Sequence, residues 1–326
     1  MRNVLFVKYN TLRRPQYQIS TTIYEEHGER FVEKAPCTEE ARAHVEGLER
    51  NCRLLTEAHV NVSAAEPNIR NHTATYEYIA GKTLEEELQE DFDDAELLIR
   101  KIRENLNYIY TYREEYMTEF FCTDEFVRVF GCDLEHKKEN AWEVLKGRPS
   151  VTIADVDLVF DNIIRKNGTW MLLDYEWVLE FPVPVAFLKF RTAAYFYDRH
   201  NLYFSGKYSR SAYFEKLGFS QEETACFDDM EVKFQEYVRG NNQEYHCLKG
   251  YEKKIIPFRA YESYAEELEQ RDASIQFLNE VIASRDEYIK SMETLIQKYH
   301  RNPFYRMYNG MRKQVRQIRG RERTNL

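Results

Sequence analysis

Three oxygen-bearing side chains, Asp157, Asn162 and Asp174, fall within the stretch DVDLVFDNIIRKNGTWMLLDYEW that begins at Asp155. An acid, an amide five residues on and a second acid twelve residues beyond that make a set suited to phosphoryl transfer. One carboxylate can accept a hydroxyl proton, while the amide and the other carboxylate hold a metal against nucleotide phosphates. Hard oxygen donors without thiols suit Mg²⁺ rather than Zn²⁺. Asp and Asn are also ordinary residues of turns and strand ends, so the elements around them decide the reading.

LVFDNII and TWMLLDYEW are two runs rich in β-branched, aliphatic and aromatic residues, joined by Arg165-Lys166-Asn167-Gly168. Asn-Gly favours a tight hairpin turn, and a hairpin returns its ends to one place, so Asp157, Asn162 and Asp174 can converge. Upstream, VLFVKYN, QISTTIYEE and ERFVEKA read as three strands, the last two joined by Glu26-His27-Gly28-Glu29. The third carries Lys34, a candidate phosphate contact. From Thr38 a helix is expected, with Ala41, Val45, Leu48, Cys52 and Leu55 on one face. Glu49 on that helix is the expected ion-pair partner of Lys34, with Glu46 as the alternative. TYEYI, ending at Gly81, reads as a strand leading to a helix near Lys82, and the backbone groups of Glu77 and Ile79 are candidates to hold an adenine edge.

VEK, an acidic helix, YEYIxGxTL, DxDLxxxN and LLDYEW, in that order, resemble the protein-kinase-like superfamily in its bacterial small-molecule branch, which includes aminoglycoside and choline phosphotransferases. Within that branch the sequence is most similar to the kinase module of the methyltransferase-kinase that caps O-antigen chains, and to kinase-like domains attached to glycosyltransferases. The resemblance spans roughly residues 1–255. It implies an α+β, two-lobed fold, Lys34 on the phosphates of ATP, Glu49 as its partner, Asp157 as base, and Asn162 and Asp174 as Mg²⁺ ligands. It also implies a glycan or glycolipid hydroxyl as acceptor, in surface-polysaccharide assembly. Two departures stand out. Asp155 occupies the position of the family's usual His, and the loop YNTLRRPQYQ lacks the glycines of the phosphate loop, offering Arg13 and Arg14 instead. Asp174-Tyr175-Glu176 replaces Asp-Phe-Gly, a D-x-E form common in this branch. A catalytically inactive pseudokinase scaffold is the competing reading.

The expected division is an N-lobe over 1–82, a C-lobe over 83–255, a coiled-coil helix over 256–300 and a basic tail over 301–326. Leu268, Ile275, Ile282, Ile289 and Ile296 recur every seven residues, with Leu278, Met292 and Tyr299 three places after three of them, an a/d seam that predicts self-association. Arg271 and Arg285 fall on the same seam. From Lys298 onward nine Lys or Arg stand against Glu322 alone, about +8 on a chain whose net charge is −9. Phe304, Tyr308, Met311, Val315 and Ile318 share one face of that tail, which favours an anionic membrane surface, or a docking partner such as a glycosyltransferase, over nucleic acid. Aromatic residues make up 14% of the chain, and FPVPVAFLKFRTAAYFYDRHNL (181–202) is expected mainly to pack the core, with Arg191, Tyr195, Tyr197 and Arg199 as acceptor-side candidates. The six cysteines form no C-x-x-C pair and are expected to be reduced and mostly buried. With neither a signal peptide nor a membrane-spanning run, the expected location is cytoplasmic, peripheral to the inner face of the membrane.

Overall fold

The computed structural model describes residues 2–131, 143–166 and 168–240, together with short helical stretches between 275 and 312. The chain divides into two compact units, Met1–Lys254 and Ile255–Leu326. The first is a mixed helix-and-sheet unit that opens with the three expected strands, β1 (Asn3–Tyr9), β2 (Ile19–Glu26) and β3 (Glu29–Pro36). His27 and Gly28 both take positive φ, 55° and 85°, the geometry a two-residue hairpin turn between right-twisted strands requires.

Helix α1 (Arg42–Ala58) follows. It starts later than its Thr38 signal, because the Thr38 hydroxyl caps a preceding turn by accepting the Ala41 amide at 3.2 Å. Ala41, Val45, Leu48, Cys52 and Leu55 are all buried, the face that the three-to-four spacing requires. Then come β4 (Val62–Ala64), β5 (Asn68–Arg70) and β6 (Thr73–Glu77). The main sheet runs β1-β2-β3-β6-β5, which places β3, and with it Lys34, between two neighbours.

An extended segment links β6 to α2 (Leu84–Gln89). Gly81 lies in it at φ +140°, where an added Cβ would meet Ile164 Cδ1 at 3.3 Å. Thr83 and Glu86 then form a reciprocal capping box that starts α2. Beyond are α3 (Ala95–Ile109), β7 (Met117–Glu119), α4 (Asp124–Phe130), β8 (Pro149–Val151) and β9 (Ala154–Asp155). The hairpin is shorter than the sequence predicts. Phe160–Asn162 is a 3₁₀ turn, and only Ile163–Lys166 (β10) and Thr169–Leu172 (β11) pair. The turn forms because the Asn162 side chain reaches back to the Asp157 carbonyl at 2.8 Å. Gly168 has φ +83°, and Asn167 lies outside the described residues.

The unit continues through β12 (Val178–Leu179), β13 (Val183–Pro184), α5 (Val185–Arg199), α6 (Asn201–Ser205), α7 (Arg210–Leu217) and α8 (Gln221–Arg239). Strand β11 adds β4 in parallel, and β9 pairs with β12. As expected of the aromatic run, α5 is buried over most of its surface, through Phe187, Leu188, Phe190, Ala193, Phe196 and Tyr197. Truncating one such Phe to Ala costs about 3–5 kcal/mol. Cys52 is buried, Cys226 is half-buried, and Cys37 and Cys122 are exposed, fewer buried thiols than expected. Cys132 and Cys247 lie outside the described residues.

In the second unit Ile275, Ile282, Ile289 and Ile296 stand on helical residues and are 50–56% exposed. Leu268, Arg271, Leu278 and Tyr299 lie outside the described residues, as does most of the basic tail. No helix among the described residues is long and apolar enough to cross a membrane.

Candidate active site

Lys34 sits in register with Thr21 on β2 and Ala74 on β6, and its side chain is 4% exposed. Its ammonium meets the Asp174 carboxylate and, at 2.6 Å, Glu176 Oε1. Burial works against a charged lysine, but Asp174 and Glu176 outweigh it and raise the pKa. Glu176 is itself 2% exposed in its side chain and also accepts from Arg13 Nη1, with His44 Nε2 3.8 Å away. Burial favours its neutral form, yet Arg13 and Lys34 hold it well below the ordinary carboxylate range. Asp174 keeps a 41% exposed side chain.

This arrangement corrects the expected pairing. Glu49 is exposed, and the partners of Lys34 are Asp174 and Glu176. Glu49 follows Leu48, and at 100° per residue the position after a buried leucine turns away from the sheet. Glu46 is exposed too and pairs with His72 at 2.5 Å. What α1 contributes comes from its buried face. Asn51 donates its side-chain amide to the carbonyls of Tyr175 at 3.2 Å and Glu176 at 3.4 Å, and the Tyr175 hydroxyl donates to the Ala65 carbonyl.

The loop carrying Asp157 is held mainly through its backbone. The Asp157 amide donates to Asp155 Oδ1 at 2.9 Å, and the Asp157 carbonyl accepts from the Asn162 side chain. Arg191, buried on α5, donates to the Val156 carbonyl through Nη1 and to Glu231 Oε2 at 2.7 Å through Nε. The Leu158 carbonyl faces the hydroxyls of Thr192 at 2.5 Å and Tyr110 at 2.9 Å. Burial, and then the charge of Asp174, push Asp157 up to about 7 against the pull of Arg191. Asp155 is fully buried, and among the described residues its Oδ2 has no hydrogen-bond partner. Its pKa rises well above the ordinary value, through burial first and the Asp157 charge second.

The hairpin register brings the remaining candidates together, since Ile163 pairs with Leu172 and the Leu173 amide donates to the Asn162 carbonyl at 2.8 Å. Asn162 and Asp174 thus flank the foot of one hairpin. Among the described residues no three His, Cys, Asp or Glu side chains are placed to bind a metal by themselves. One amide and one carboxylate nevertheless suit Mg²⁺, which keeps waters and takes phosphate oxygens. Glu77 closes β6 opposite Phe31, with its carboxylate 3.3 Å from Lys166 Nζ. Tyr78 donates its amide to the Arg30 carbonyl at 3.0 Å, and Ile79 is buried. Of the acceptor-side candidates, Arg191 supports the Asp157 loop, Arg199 bridges Glu85 and Asp161, and Tyr197 is buried. Tyr195 is 46% exposed, with the Arg191 guanidinium 4.9 Å from its ring centroid.

Sequence reasoning gives Glu176 no role beyond its place in the D-x-E triplet, and it does not single out Asn51, Thr192 or Tyr110. Asn51 had a signal, lying seven residues after His44 on the same helical face.

No family model and no curated protein matches the chain. Among solved structures it is similar to the choline kinase LicA from Streptococcus pneumoniae, at 14% identity over 82% of this chain and 93% of that one, with a TM-score of 0.38. A macrolide 2'-phosphotransferase type I gives 13% identity over 77% and 91%, with a TM-score of 0.38. The ADP-bound aminoglycoside phosphotransferase APH(2'')-Ib gives 11% over 71% and 95%, with a TM-score of 0.31.

Proposed function

We propose that the chain is an ATP- and Mg²⁺-dependent phosphotransferase of the two-lobed, protein-kinase-like kind, acting on a hydroxyl group. The observation that carries this reading is the meeting of Lys34, buried on an inner strand, with Asp174 at the foot of the hairpin whose other end holds Asn162 and follows Asp157. Lys34 positions nucleotide phosphates, and the backbone around Glu77 and Ile79 receives the adenine. Asn162 and Asp174 would hold Mg²⁺, which supplies positive charge against the phosphates. The Asn162 amide nitrogen is committed to the Asp157 carbonyl, so its oxygen is the donor for such an ion. In the transfer, the acceptor oxygen bonds to the γ-phosphorus as the bond to the β-phosphate oxygen breaks. ADP leaves and the hydroxyl proton passes to Asp157. An Asp157 pKa of about 7 suits a base at neutral pH.

A second reading, a pseudokinase scaffold, draws support from the Arg13–Glu176–Lys34 ion cluster and from Asp155 at the expected histidine position. Titration calorimetry separates the two. Wild type should bind ATP in the presence of Mg²⁺, and Asp174→Asn should bind it at least about tenfold more weakly, the loss of one charge-assisted contact. No heat with wild type leaves the scaffold.

The proposed acceptor is a glycan or glycolipid in surface-polysaccharide assembly, supported by the sequence resemblance, with exposed Tyr195 available for stacking. The exposed isoleucines at 275, 282, 289 and 296 support a homo-oligomer formed through a coiled coil, which sedimentation of the full chain against one ending at Phe258 tests by its change of state. The charge of the tail supports attachment to an anionic membrane or to a glycosyltransferase, tested by co-sedimentation with anionic liposomes. Equal sedimentation or no liposome binding would remove these two proposals.

A further inference from the structure

The loop between β1 and β2 is poorly suited to cradle phosphates as a glycine-rich loop does, because five of the eight amides over residues 10–18 are already in use. Asn10 donates to the Ile19 carbonyl, Arg13 to Asn10, Arg14 to Val238, Tyr17 to Arg14 and Gln18 to Pro15, at 2.8–3.4 Å, and Pro15 has no amide to give. The Gln18 side chain ties down two more carbonyls, those of Thr11 at 3.1 Å and Arg13 at 2.8 Å. Tyr17 and Tyr237 join their hydroxyls at 2.8 Å, so the loop is also fastened to the end of α8.

Side chains take up the task that this backbone leaves open. Lys8 on β1 is in register with Thr21, and Thr21 with Lys34. Residues directly opposite on neighbouring strands share a face, so Lys8, Thr21 and Lys34 form one row across the sheet, the two ammonium-bearing positions about 10 Å apart at the usual strand spacing. Lys8 is half-buried and, among the described residues, its ammonium makes no ion pair or hydrogen bond. Burial lowers its pKa from the ordinary lysine value, with Arg13 and Lys34 acting the same way and Asp174 and Glu176 opposing them. Arg13, from the loop, lies on Glu176 and within reach of the charges of Asp157 and Asp174. Arg14 instead points to α8, toward the Glu236 carbonyl at 3.4 Å.

We propose that Lys8, together with Arg13, binds the polyphosphate of the nucleotide from the sheet side, replacing the backbone amides of a glycine-rich loop. A half-buried ammonium with cations beside it, whose neighbouring carboxylates Asp174 and Glu176 are already paired to Lys34 and Arg13, is an anion site, and a triphosphate laid along the Lys8–Lys34 row supplies that anion. The inference rests on the phosphotransferase reading and deepens it.

The test is calorimetry with Mg²⁺, comparing ATP with adenosine on wild type, Lys8→Met, Lys8→Arg and Arg13→Lys. Lys8→Met should weaken ATP by about tenfold or more while leaving adenosine within about twofold, since one charge-assisted contact is lost and the adenine site is untouched. Lys8→Arg should restore most of the ATP affinity. Arg13→Lys keeps the charge but loses the forked donors and should fall between. Lys8 has no partner to orphan, so the thermal midpoint of ligand-free Lys8→Met should not drop. An equal loss for ATP and adenosine, or no loss for either, overturns the proposal while the phosphotransferase reading stands. If wild type binds neither ligand, both fall together.

Discussion

The Lys34 cluster and the Asp157 loop lie side by side and are built by opposite means. Arg13, Lys34, Asp174 and Glu176 converge from strands and loops far apart in sequence, and buried charge holds them. Residues 155–158 are one short run, held chiefly by neighbours that capture backbone amides and carbonyls: Asp155, Asn162, Arg191, Thr192 and Tyr110. Buried charges are costly to desolvate and are retained only with their partners, so the cluster is brittle to loss of one member. Apart from the bond given by the Arg191 guanidinium, these are neutral hydrogen bonds contributing about 1 kcal/mol each, so the loop should degrade gradually.

The sharpest way to break this contrast is Glu176→Ala, which leaves Arg13 and Lys34 facing each other in a buried site. A loss of about 3 kcal/mol is expected, read as a lower denaturant midpoint at unchanged slope. Glu49→Ala, on the exposed face of α1, should stay within about 0.5 kcal/mol of wild type. Comparable losses would return Glu49 to the ion cluster.

The two regions also respond to pH with opposite sign. The folded pKa of Glu176 lies below its unfolded value, so its contribution is present above about pH 4.5 and is lost as pH falls through the folded value. Asp155 and Asp157 have folded values above their unfolded ones. Their contribution is complete below about pH 4 and declines as pH rises, through about 7 for Asp157. Stability should therefore fall on both sides of the intervening pH range. Denaturant midpoints from pH 3 to 8 should show Asp155→Asn flattening only the alkaline fall and Glu176→Gln only the acid one. The reverse pattern would contradict these environments.

A smaller loss than that of Glu176→Ala belongs to Thr192→Val, which removes one hydroxyl from the Leu158 carbonyl while Tyr110 keeps its own. About 1 kcal/mol should be lost in thermal unfolding. A loss near that of Glu176→Ala would mean that the loop is as brittle as the ion cluster.

The same contrast explains what the sequence makes legible. Asp157, Asn162 and Asp174 lie within eighteen residues of one another, and a turn of known geometry connects them, so local reasoning brings them together. The row of strands and the buried face of α1 follow from hydrophobic period alone. The Glu176 pairing does not, because a D-x-E triplet leaves the direction of its second acid open until β3 is seen above it. Distance along the chain, fifteen residues from Lys34, favours Glu49, whereas the helical face set by Leu48 and Cys52 points it to solvent. The shortened hairpin reflects an Asn side chain competing with the strand ladder for a backbone carbonyl, which residue propensity does not register. Arg191 and Thr192 sit in an aromatic run whose burial is plain, but their aim at two loop carbonyls is a tertiary fact.

The central claim is that Asp157 takes the proton of an acceptor hydroxyl during transfer from ATP. Release of ADP from ATP with Mg²⁺, in the presence of hydroxyl-bearing glycan acceptors, should be measured at pH 7 for wild type and Asp157→Asn, alongside ATP affinity. The account predicts turnover in wild type, a loss of about 10² to 10⁴-fold in Asp157→Asn, and ATP affinities that agree within about twofold. Equal turnover by the two proteins would contradict it.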